Sequence, residues 1–250
     1  DGVSVKNSSD LDIDGNLLTA GHDGVHMEGS QWVTVENNLI TAGHDGIYAR
    51  HSGGYLNFDG NLIVAGNNGV SLDHTDFSYT NGNLIFAGNN GVDIKDSTYI
   101  HVTDNAIFAG NNGVDIDPSY FIDISNNAIV AGNDGIHLED THWASIDNNL
   151  IVAGDDGIDI DDSNRIDATN NLIIAGDNGV EISDSDRINV NNSAIFAGND
   201  GIHASNNTRL GASGNLIVAG DDGIDSDDDD VFNITGNLII AGDNGVEMDG

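Results

Sequence analysis

Apolar residues occur along this chain in short runs that alternate with polar residues and are separated by Gly, Asn and Asp. The segment from Asp134 to Asp155, DGIHLEDTHWASIDNNLIVAGD, contains three such runs: GIHL, WASID and NLIVA. Each run is too short for a helix and is rich in Ile and Val, whereas Gly, Asn and Asp favour turns. The pattern therefore predicts three short β-strands and three corners in every segment of this length.

The same segment recurs along the chain at a nearly constant period. Ala-Gly pairs recur from Ala20 to Ala241 every 22 residues, except for one interval of 23 whose extra residue lies in the Gly53-Gly54 turn. A short fixed period predicts a solenoid in which each strand pairs in parallel with its copies, rising about 4.8 Å per coil. We expect an all-β parallel β-helix of about eleven coils, which forms a single domain over residues 1–250.

Two adjacent columns of the repeat indicate how one corner is built. The first contains only residue types that tolerate positive φ: Gly15, Asn37, Gly60, Gly82, Asp104, Asn126, Asn148, Asn170, Asn192, Gly214 and Gly236. The second is an asparagine column that only Ser193 interrupts: Asn16, Asn38, Asn61, Asn83, Asn105, Asn127, Asn149, Asn171, Asn215 and Asn237. A stacked amide donates to one copy and accepts from the other. We expect a left-handed corner followed by an asparagine ladder.

The third strand of each coil carries more apolar residues than one face can hold. The residue two places after each asparagine is Ile in all coils but the first, which suggests a core stripe rather than an exposed one. If Ile173 and its copies point inward, alternation places Leu172, Ile174 and their copies outward. A bulge could turn both sets inward, or a segment outside this chain could cover them. We favour an exposed stripe that mediates lateral self-association, because large apolar patches usually mark association surfaces.

Composition restricts the partners of the predicted solenoid. Six basic and 42 acidic residues give a net charge of −36. This charge argues against nucleic acid and anionic membrane surfaces, which are bound through Lys and Arg. No apolar run is long enough for membrane insertion. The chain contains no cysteine, so it can form neither disulfides nor thiolate metal sites.

Much of the acidic charge lies on one edge of the predicted solenoid, in the outward position of the first strand and in the corner pair after each Ala-Gly. Two carboxylates about 4.8 Å apart repel by about 1 kcal/mol in water and about 3 to 4 kcal/mol at an effective dielectric near 20. Oxygen donors without cysteine suit Ca²⁺. One interpretation is calcium bound between coils at Asp155, Asp156, Asp159, Asp177, Glu181, Asp221, Asp222 and Asp225. The alternative is a solvated acidic face with diffuse counter-ions or a salt-adapted surface.

Two other outward sets have candidate chemistry. The middle strand begins with a column of flat side chains: Trp32, Tyr55, Phe77, Tyr99, Phe121 and Trp143, then Arg165, Arg187 and Arg209. This column could bind sugars or an anionic polymer, but stacking of like side chains and pairing of the arginines with local Asp are favoured. His22 and His26 stand four residues apart and His44 stacks on His22, so a Zn or Ni site is conceivable, although a polar surface is favoured.

The unit DGIDIDDSNRIDATNNLIIAGD, with asparagine at a corner, resembles the repeat of the pectin-lyase-like superfamily, and the resemblance covers essentially the whole chain. It implies a right-handed β-helix, a scaffold shared by polysaccharide lyases, polygalacturonases, mannuronan epimerases, adhesins and phage fibres. Asp155, Asp156 and Asp159 resemble the acids of the polygalacturonase site. However, this acidic pattern repeats at Asp221 to Asp225, and the accompanying Gly-His-Gly and Arg-Ile-Lys motifs do not occur.

The other enzymes of the superfamily match less well. The epimerase signature is missing, because Asp117-Pro118 continues with Ser119 instead of histidine, and a lyase would have only Lys95 or Arg165 as its base. A chain this regular offers few irregular places for catalysis. No catalytic residue is therefore assigned. A carbohydrate-active enzyme of the polygalacturonase, lyase or epimerase type remains the alternative.

The repeat runs to both ends of the sequence at the same phase and without a polar cap, from Asp1-Gly2-Val3 to Asn244-Gly245-Val246. Open coil ends favour end-to-end pairing, so we expect a segment of a longer surface protein or a polymerising subunit. The sequence as a whole indicates an extracellular or cell-surface structural β-solenoid, such as a fibre, filament or adhesin stalk. Calcium is the expected cofactor, the chain itself the expected partner, and polysaccharide a further candidate.

Overall fold

The computed structural model describes residues 1–249 and confirms a right-handed parallel β-helix. Each coil has a first, a middle and a third strand, and each strand pairs in parallel with its copies one coil away. First and middle strands share one sheet of 21 strands, and the third strands form a second sheet of 11. No helix occurs in residues 1–249, so none there could span a membrane.

The strand boundaries follow the predicted repeat. The first strands are Val3–Lys6, Val25–Glu28, Ile47–Arg50, Val70–Asp73, Ile136–Glu139, Ile158–Asp161, Val180–Ser183, Ile202–Ser205, Ile224–Asp227 and Glu247–Asp249. The middle strands are Ser9–Asp14, Gln31–Glu36, Gly53–Asp59, Asp76–Asn81, His142–Asp147, Asn164–Thr169, Asp186–Asn191, Leu210–Ser213 and Phe232–Thr235. In two coils, first and middle strands are continuous, over Val92–Thr103 and Val114–Ser125. The third strands are Leu17–Ala20, Leu39–Ala42, Leu62–Ala65, Leu84–Ala87, Ala106–Ala109, Ala128–Ala131, Leu150–Ala153, Leu172–Ala175, Ala194–Ala197, Leu216–Ala219 and Leu238–Ile240.

The core is a single column of stacked layers inside the coils, and most of its side chains are aliphatic. Ile173 on the third strand is fully buried, whereas Leu172 and Ile174 are exposed by 39% and 44%. Strict alternation is therefore kept, and the predicted choice of the Ile column as the core stripe is confirmed. Gly157 lies where a β-carbon would overlap Ile173 Cγ2 and the carbonyl oxygen of Gly179. The corner after each Ala-Gly is thus tight because a glycine lets the core isoleucine approach the backbone.

The left-handed corner and the asparagine ladder are both as predicted. Positive φ occurs at every member of the column from Gly15 to Gly236. Within the ladder, Asn149 Nδ2 donates to Asn171 Oδ1 (3.1 Å) and to the carbonyl of Ile124 (2.9 Å), and Asn149 Oδ1 accepts from the backbone of Asn127 (2.9 Å). Ser193 Oγ accepts from the backbone N–H of Asn171 (3.1 Å). Serine lacks the amide group with which asparagines of the ladder such as Asn149 donate to a backbone carbonyl of the preceding coil. The ladder continues there with fewer bonds.

A second ladder, not predicted, stabilises the corner between the first and middle strands. There the backbone N–H of Thr141 donates to Ser163 Oγ (3.0 Å), and that of Ser163 donates to Ser185 Oγ (3.0 Å). Hydroxyl side chains therefore satisfy buried turn backbone as asparagine does at the next corner.

The extra residue of one coil distorts the middle strand of that coil and not its third strand. The extra residue near Gly54 produces a bulge against Gln31, and Gly54 adopts positive φ (81°). The third strands on either side of this coil pair without any shift, Leu39 with Leu62 and Ala42 with Ala65. The bulge therefore leaves the second sheet in register.

Candidate functional site

The acidic edge of the solenoid lies where each third strand turns into the next first strand. We use this name for three columns: the two corner residues that follow each Ala-Gly, and the outward residue of the following first strand. In one coil these are Asp155, Asp156 and Asp159, and in the next they are Asp177, Asn178 and Glu181. Because equivalent residues stack one coil apart, a site on this edge combines side chains from two successive coils.

The second corner residue is more buried than the sequence suggested. Asp156 Oδ1 accepts from the backbone N–H of Asn178 (2.8 Å), and Asp222 Oδ1 accepts from that of Asn244 (2.6 Å). The same bond recurs from coil to coil, starting with Asp23 and the backbone of Asp45 (3.3 Å), so this corner has a third ladder. Asp and Asn serve equally because only an acceptor is needed. Each Asp retains a second oxygen, and at Asp156 this oxygen is available to a cation.

Five of the eight predicted calcium ligands gather on two coils. Asp155, Asp156 and Asp177 each offer a carboxylate oxygen within 4.8 Å of the others. Asp159 and Glu181 are paired neighbours on the adjoining first strands. Oxygens on opposite sides of a Ca²⁺ ion lie about 5 Å apart, because each is about 2.3 to 2.6 Å from the metal. The spacing of this group therefore suits a calcium ion.

The other three predicted ligands lie three coils further along. Asp225 Oδ2 is 2.9 Å from His203 Nδ1, and Asp222 belongs to the buried ladder. Asp221 is exposed at the corner. The structure thus divides the predicted ligands into a carboxylate group on two coils and a second set in which a histidine already pairs with an acid.

The carboxylate group lacks enough positive charge to stabilise its ionised form. Burial, followed by the nearby Glu181, Asp155 and Asp159, raises the pKa of Asp156 to about 7. Burial also raises the pKa of Glu181, and the charges of Asp159 and Asp177 add to this effect. Burial raises the pKa of Asp159 to about 6, despite the opposing charge of His137. A divalent cation would remove this penalty by neutralising the group.

Two histidines supply positive charge to the outward acids of the first strands: His137 lies near Asp115 and Asp159, and His203 lies near Glu181 and Asp225. His137 Nδ1 lies 2.9 Å from Asp115 Oδ1, and its Nε2 lies 3.4 Å from Asp159 Oδ2, so the ring bridges three successive coils. The hydrogen bond that His137 donates to Asp115 outweighs burial and raises the pKa of His137 to about 9. Since this imidazolium is charged at neutral pH, it offsets the negative charge of Asp115 and Asp159.

A third group on the same edge combines histidine with a buried carboxylate. His22, His26 and His44 approach Asp23 through Nδ1 at 3.0, 2.9 and 3.2 Å. The His22 and His44 rings are stacked 4.7 Å apart, as predicted. Burial favours the neutral acid, but hydrogen bonds from His26 and the backbone of Asp45 hold the pKa of Asp23 below its ordinary value.

The histidine group and the carboxylate group occupy equivalent positions. His22, Asp23 and His44 offer three ligand atoms within 4.8 Å of one another, as do Asp155, Asp156 and Asp177, which lie six coils further along. In each group the middle member is the ladder residue. The backbone is therefore shared, and the side chains alone distinguish a nitrogen-containing donor set from an oxygen-only one.

The column of flat side chains is a stack with covered faces. Tyr99, Phe121 and Trp143 follow each other at 4.8 and 4.9 Å with nearly parallel rings, and Arg165 lies over Trp143 at 4.9 Å. Arg209 Nε lies 3.1 Å from Asp186 Oδ1. The rings thus present their edges to solvent instead of a flat sugar platform. This geometry matches the stacking and local pairing that the sequence favours.

An open groove runs beside this stack on the middle-strand face. Its lining includes His101, Asp123, Ser145, Arg165 and Asp167. His101 Nδ1 lies 3.2 Å from Asp123 Oδ2, which makes a hydrogen-bonded imidazole and carboxylate in an accessible place. Such a pair can move a proton, so this groove is where a catalytic alternative has its best chemical support.

Comparisons with known proteins extend over the whole chain. The profile of a family described as NosD, periplasmic copper-binding protein, matches residues 1–133 and 122–250. A search of curated protein sequences gives no significant match.

Several solved structures share the fold. The mannuronan C-5 epimerase AlgE6 A-module of Azotobacter vinelandii aligns with a TM-score of 0.69 and 11% identity, over 100% of this chain and 91% of that one. The periplasmic alginate epimerase AlgG aligns with a TM-score of 0.60 and 12% identity, over 93% and 75%. Tailspike protein 3 of bacteriophage CBA120 aligns with a TM-score of 0.56 and 14% identity, over 96% and 50%. At these identities the likeness establishes the β-helix alone, because one scaffold hosts both enzymes and fibres.

Proposed function

Since this chain belongs to the NosD family, we propose that it acts outside the cytoplasm, in the periplasm or at the cell surface, as a structural β-solenoid that binds divalent metal ions along its acidic edge. The observation that supports this proposal most directly is the carboxylate group of Asp155, Asp156 and Asp177. Within this group, burial raises the pKa of Asp156 to about 7, whereas His137 pairs with Asp115 and Asp159 on the first strands. Asp155, Asp156 and Asp177 offer only oxygen donors, and such a donor set favours Ca²⁺.

The calcium proposal is tested by thermal unfolding of metal-free protein, followed by circular dichroism, with increasing Ca²⁺. Binding to the folded state alone stabilises it by about 2.7 kcal/mol when free Ca²⁺ reaches about 100 times Kd. The variant Asp155→Asn/Asp177→Asn should lose this gain, whereas Asp12→Asn, an exposed acid on the middle strand, should keep it. If wild type melts at the same temperature in chelator and in 10 mM Ca²⁺, the calcium site is disproved.

Copper, which the family description names, requires a different donor set. Imidazole nitrogen combined with carboxylate oxygen suits Cu²⁺, and His22, Asp23 and His44 offer such a set within 4.8 Å. We assign copper to this group and calcium to the carboxylate group. His26, bonded to the second oxygen of Asp23 at 2.9 Å, would orient that carboxylate.

The copper assignment is tested by adding one equivalent of Cu²⁺ and recording the visible absorption and the electron paramagnetic resonance spectrum. Nitrogen coupling should be present in wild type and lost in His22→Asn/His44→Asn, and it should persist in the control His203→Asn. Nitrogen-coupled copper that is unchanged in the double variant would place the metal elsewhere.

We propose no catalysis for this scaffold, and the alternative is a carbohydrate-active enzyme that uses the groove of His101 and Asp123. The two functions are separated by incubating the protein with acidic polysaccharides, with and without Ca²⁺, and measuring unsaturated products and reducing ends. Turnover that disappears in Asp123→Asn would establish the enzyme and overturn the structural proposal. Polysaccharide binding without turnover would be consistent with an adhesin or fibre.

A further inference from the structure

The outward side of the third-strand sheet is an uncharged surface along the full length of the solenoid. We call it the apolar face, and it comprises the first and third residues of each third strand. Its members are Leu17, Thr19, Leu39, Thr41, Leu62, Val64, Leu84, Phe86, Ala106, Phe108, Ala128, Val130, Leu150, Val152, Leu172, Ile174, Ala194, Phe196, Leu216, Val218, Leu238 and Ile240. All but the two threonines are apolar, in a chain whose net charge is −36.

The size of the apolar face exceeds what an isolated protein usually exposes. Eleven strands spaced by about 4.8 Å and four residues long at about 3.3 Å each make a face of about 650 Å². The largest apolar patch of a typical monomer is about 300 to 600 Å². All eleven strands pair without a shift, including those beside the bulged coil. The face is thus a regular array of side chains with one repeat distance.

We propose that a second copy of this chain covers the apolar face, giving a two-fold symmetric dimer in which the two solenoid axes run parallel. Pairing two such faces buries about 1,300 Å², which lies within the range of about 1,200 to 2,000 Å² for stable interfaces. A second copy has the same repeat distance, so contacts made at one coil are repeated at every other coil. The absence of charge on the face means that no ionised group is buried.

Three third strands begin with Ala and carry a larger third residue, and these coils favour one orientation. A two-fold axis parallel to the solenoid axis places the first residue of each third strand opposite the third residue of the partner's equivalent strand. Phe108 then faces the partner's Ala106, and Phe196 faces the partner's Ala194. In these coils large side chains meet small ones across the interface, whereas coils whose third strand begins with Leu place that Leu opposite Thr, Val, Ile or Phe of the partner.

The dimer is tested by light scattering and sedimentation velocity of the full chain between 1 and 100 µM. Wild type should have the mass of two chains, and Val130→Glu/Ile174→Glu should weaken association at least 100-fold because it buries carboxylates in the interface. The control is Val231→Glu, because Val231 is exposed to a similar degree (48%, against 42% for Val130) but lies outside the apolar face. This control should remain dimeric. Circular dichroism of each variant checks that the β-helix is retained.

The orientation of the two chains is tested separately by cysteine crosslinking. Single cysteines can be introduced for this purpose because the chain contains none. A short bismaleimide should link Ala128→Cys chains to Val130→Cys chains in a mixture more efficiently than it links either variant to itself. Three outcomes would overturn the proposal: monomeric wild type at 100 µM, a dimer unaffected by the double glutamate variant, or growth beyond two chains. Monomers that bind neutral lipid vesicles through these residues would assign the face to a lipid surface and would also overturn it.

Discussion

Replacing Asp156 by Asn tests whether the ionised carboxylate of Asp156 lowers the stability of the fold when no metal is bound. Asn retains the acceptor for the backbone of Asn178, and the same ladder column already contains Asn68, Asn90 and Asn112. The substitution therefore removes a charge with little change in shape. We expect Asp156→Asn to be more stable than wild type in chelator at pH 8, and to gain less from Ca²⁺.

The size of this gain follows from the pKa of Asp156, which is about 7 in the fold against an ordinary value of 3.8. Each unit corresponds to about 1.4 kcal/mol, so the limit is about 4 kcal/mol, and solvent screening of this partly exposed group reduces it to about 1 to 2 kcal/mol. An acid whose folded pKa is raised lowers stability as pH rises from about 4 to about 7. The gain should therefore be present at pH 8 and disappear at pH 4.

Urea unfolding in chelator at these two pH values provides the measurement. The matched control is Asp45→Asn in the same ladder, because Asp45 lies 3.3 Å from His44 and loses a favourable partner when its charge is removed. The control should show no gain at pH 8. If Asp156→Asn is no more stable than wild type at pH 8, or if it gains equally at pH 4, the pKa of Asp156 is not raised in the fold, and the case for a cation here fails.

Three further tests concern the fold and the edge. Ser193→Asn should raise the unfolding free energy by about 1 kcal/mol, because it restores the amide donation that its neighbours make, and Asn149→Ser should lower it by a similar amount in the same denaturation assay. Gly157→Ala should lower the unfolding free energy by at least about 2 kcal/mol, because the new β-carbon overlaps Ile173. Gly21→Ala should be tolerated, because a β-carbon there has no atom within 4 Å. Equal melting temperatures of the two variants would contradict this. The pKa of His137 is raised to about 9, so its contribution to folding stability is complete below about pH 6.5 and is lost as pH rises through about 9. His137→Gln should therefore flatten the pH dependence of the unfolding free energy in that interval. An unchanged slope would refute the pairing with Asp115.

The period and the residue types at each column were enough to predict the coil. Gly, Asn and Asp in one column predicted the left-handed corner, and all members have positive φ. The asparagine column predicted the ladder because an amide carries both a donor and an acceptor. The second set of hydrogen bonds, from Thr141 through Ser163 to Ser185, was missed. The sequence does contain a column of Ser and Thr at this corner. However, hydroxyl residues are common in turns of every kind, so the column does not predict which backbone group each hydroxyl binds.

The candidate site was predicted less completely than the fold. The sequence located the acidic edge, yet it treated Asp156 and Asp222 as outward, whereas both accept backbone hydrogen bonds in a ladder. It also did not indicate that His137 would bridge Asp115 and Asp159. Side-chain direction at a corner depends on φ and ψ of a few residues, which a periodic pattern does not specify. The period predicts which residues stack on each other, but it does not predict which residues they bind across the corner.

The equivalent positions of the two proposed metal groups lead to a final prediction: if the proposal holds, position in the repeat fixes the geometry and residue type fixes the metal. His22, Asp23 and His44 stand where Asp155, Asp156 and Asp177 stand in later coils. Asp155→His/Asp177→His should therefore create a second copper site and abolish the calcium gain, since imidazole nitrogen suits Cu²⁺ and not Ca²⁺. Copper titration by electron paramagnetic resonance should rise from one to two nitrogen-coupled equivalents. If it stays at one, with the β-helix intact by circular dichroism, then features outside these three columns determine the metal, and the repeat alone does not build the site.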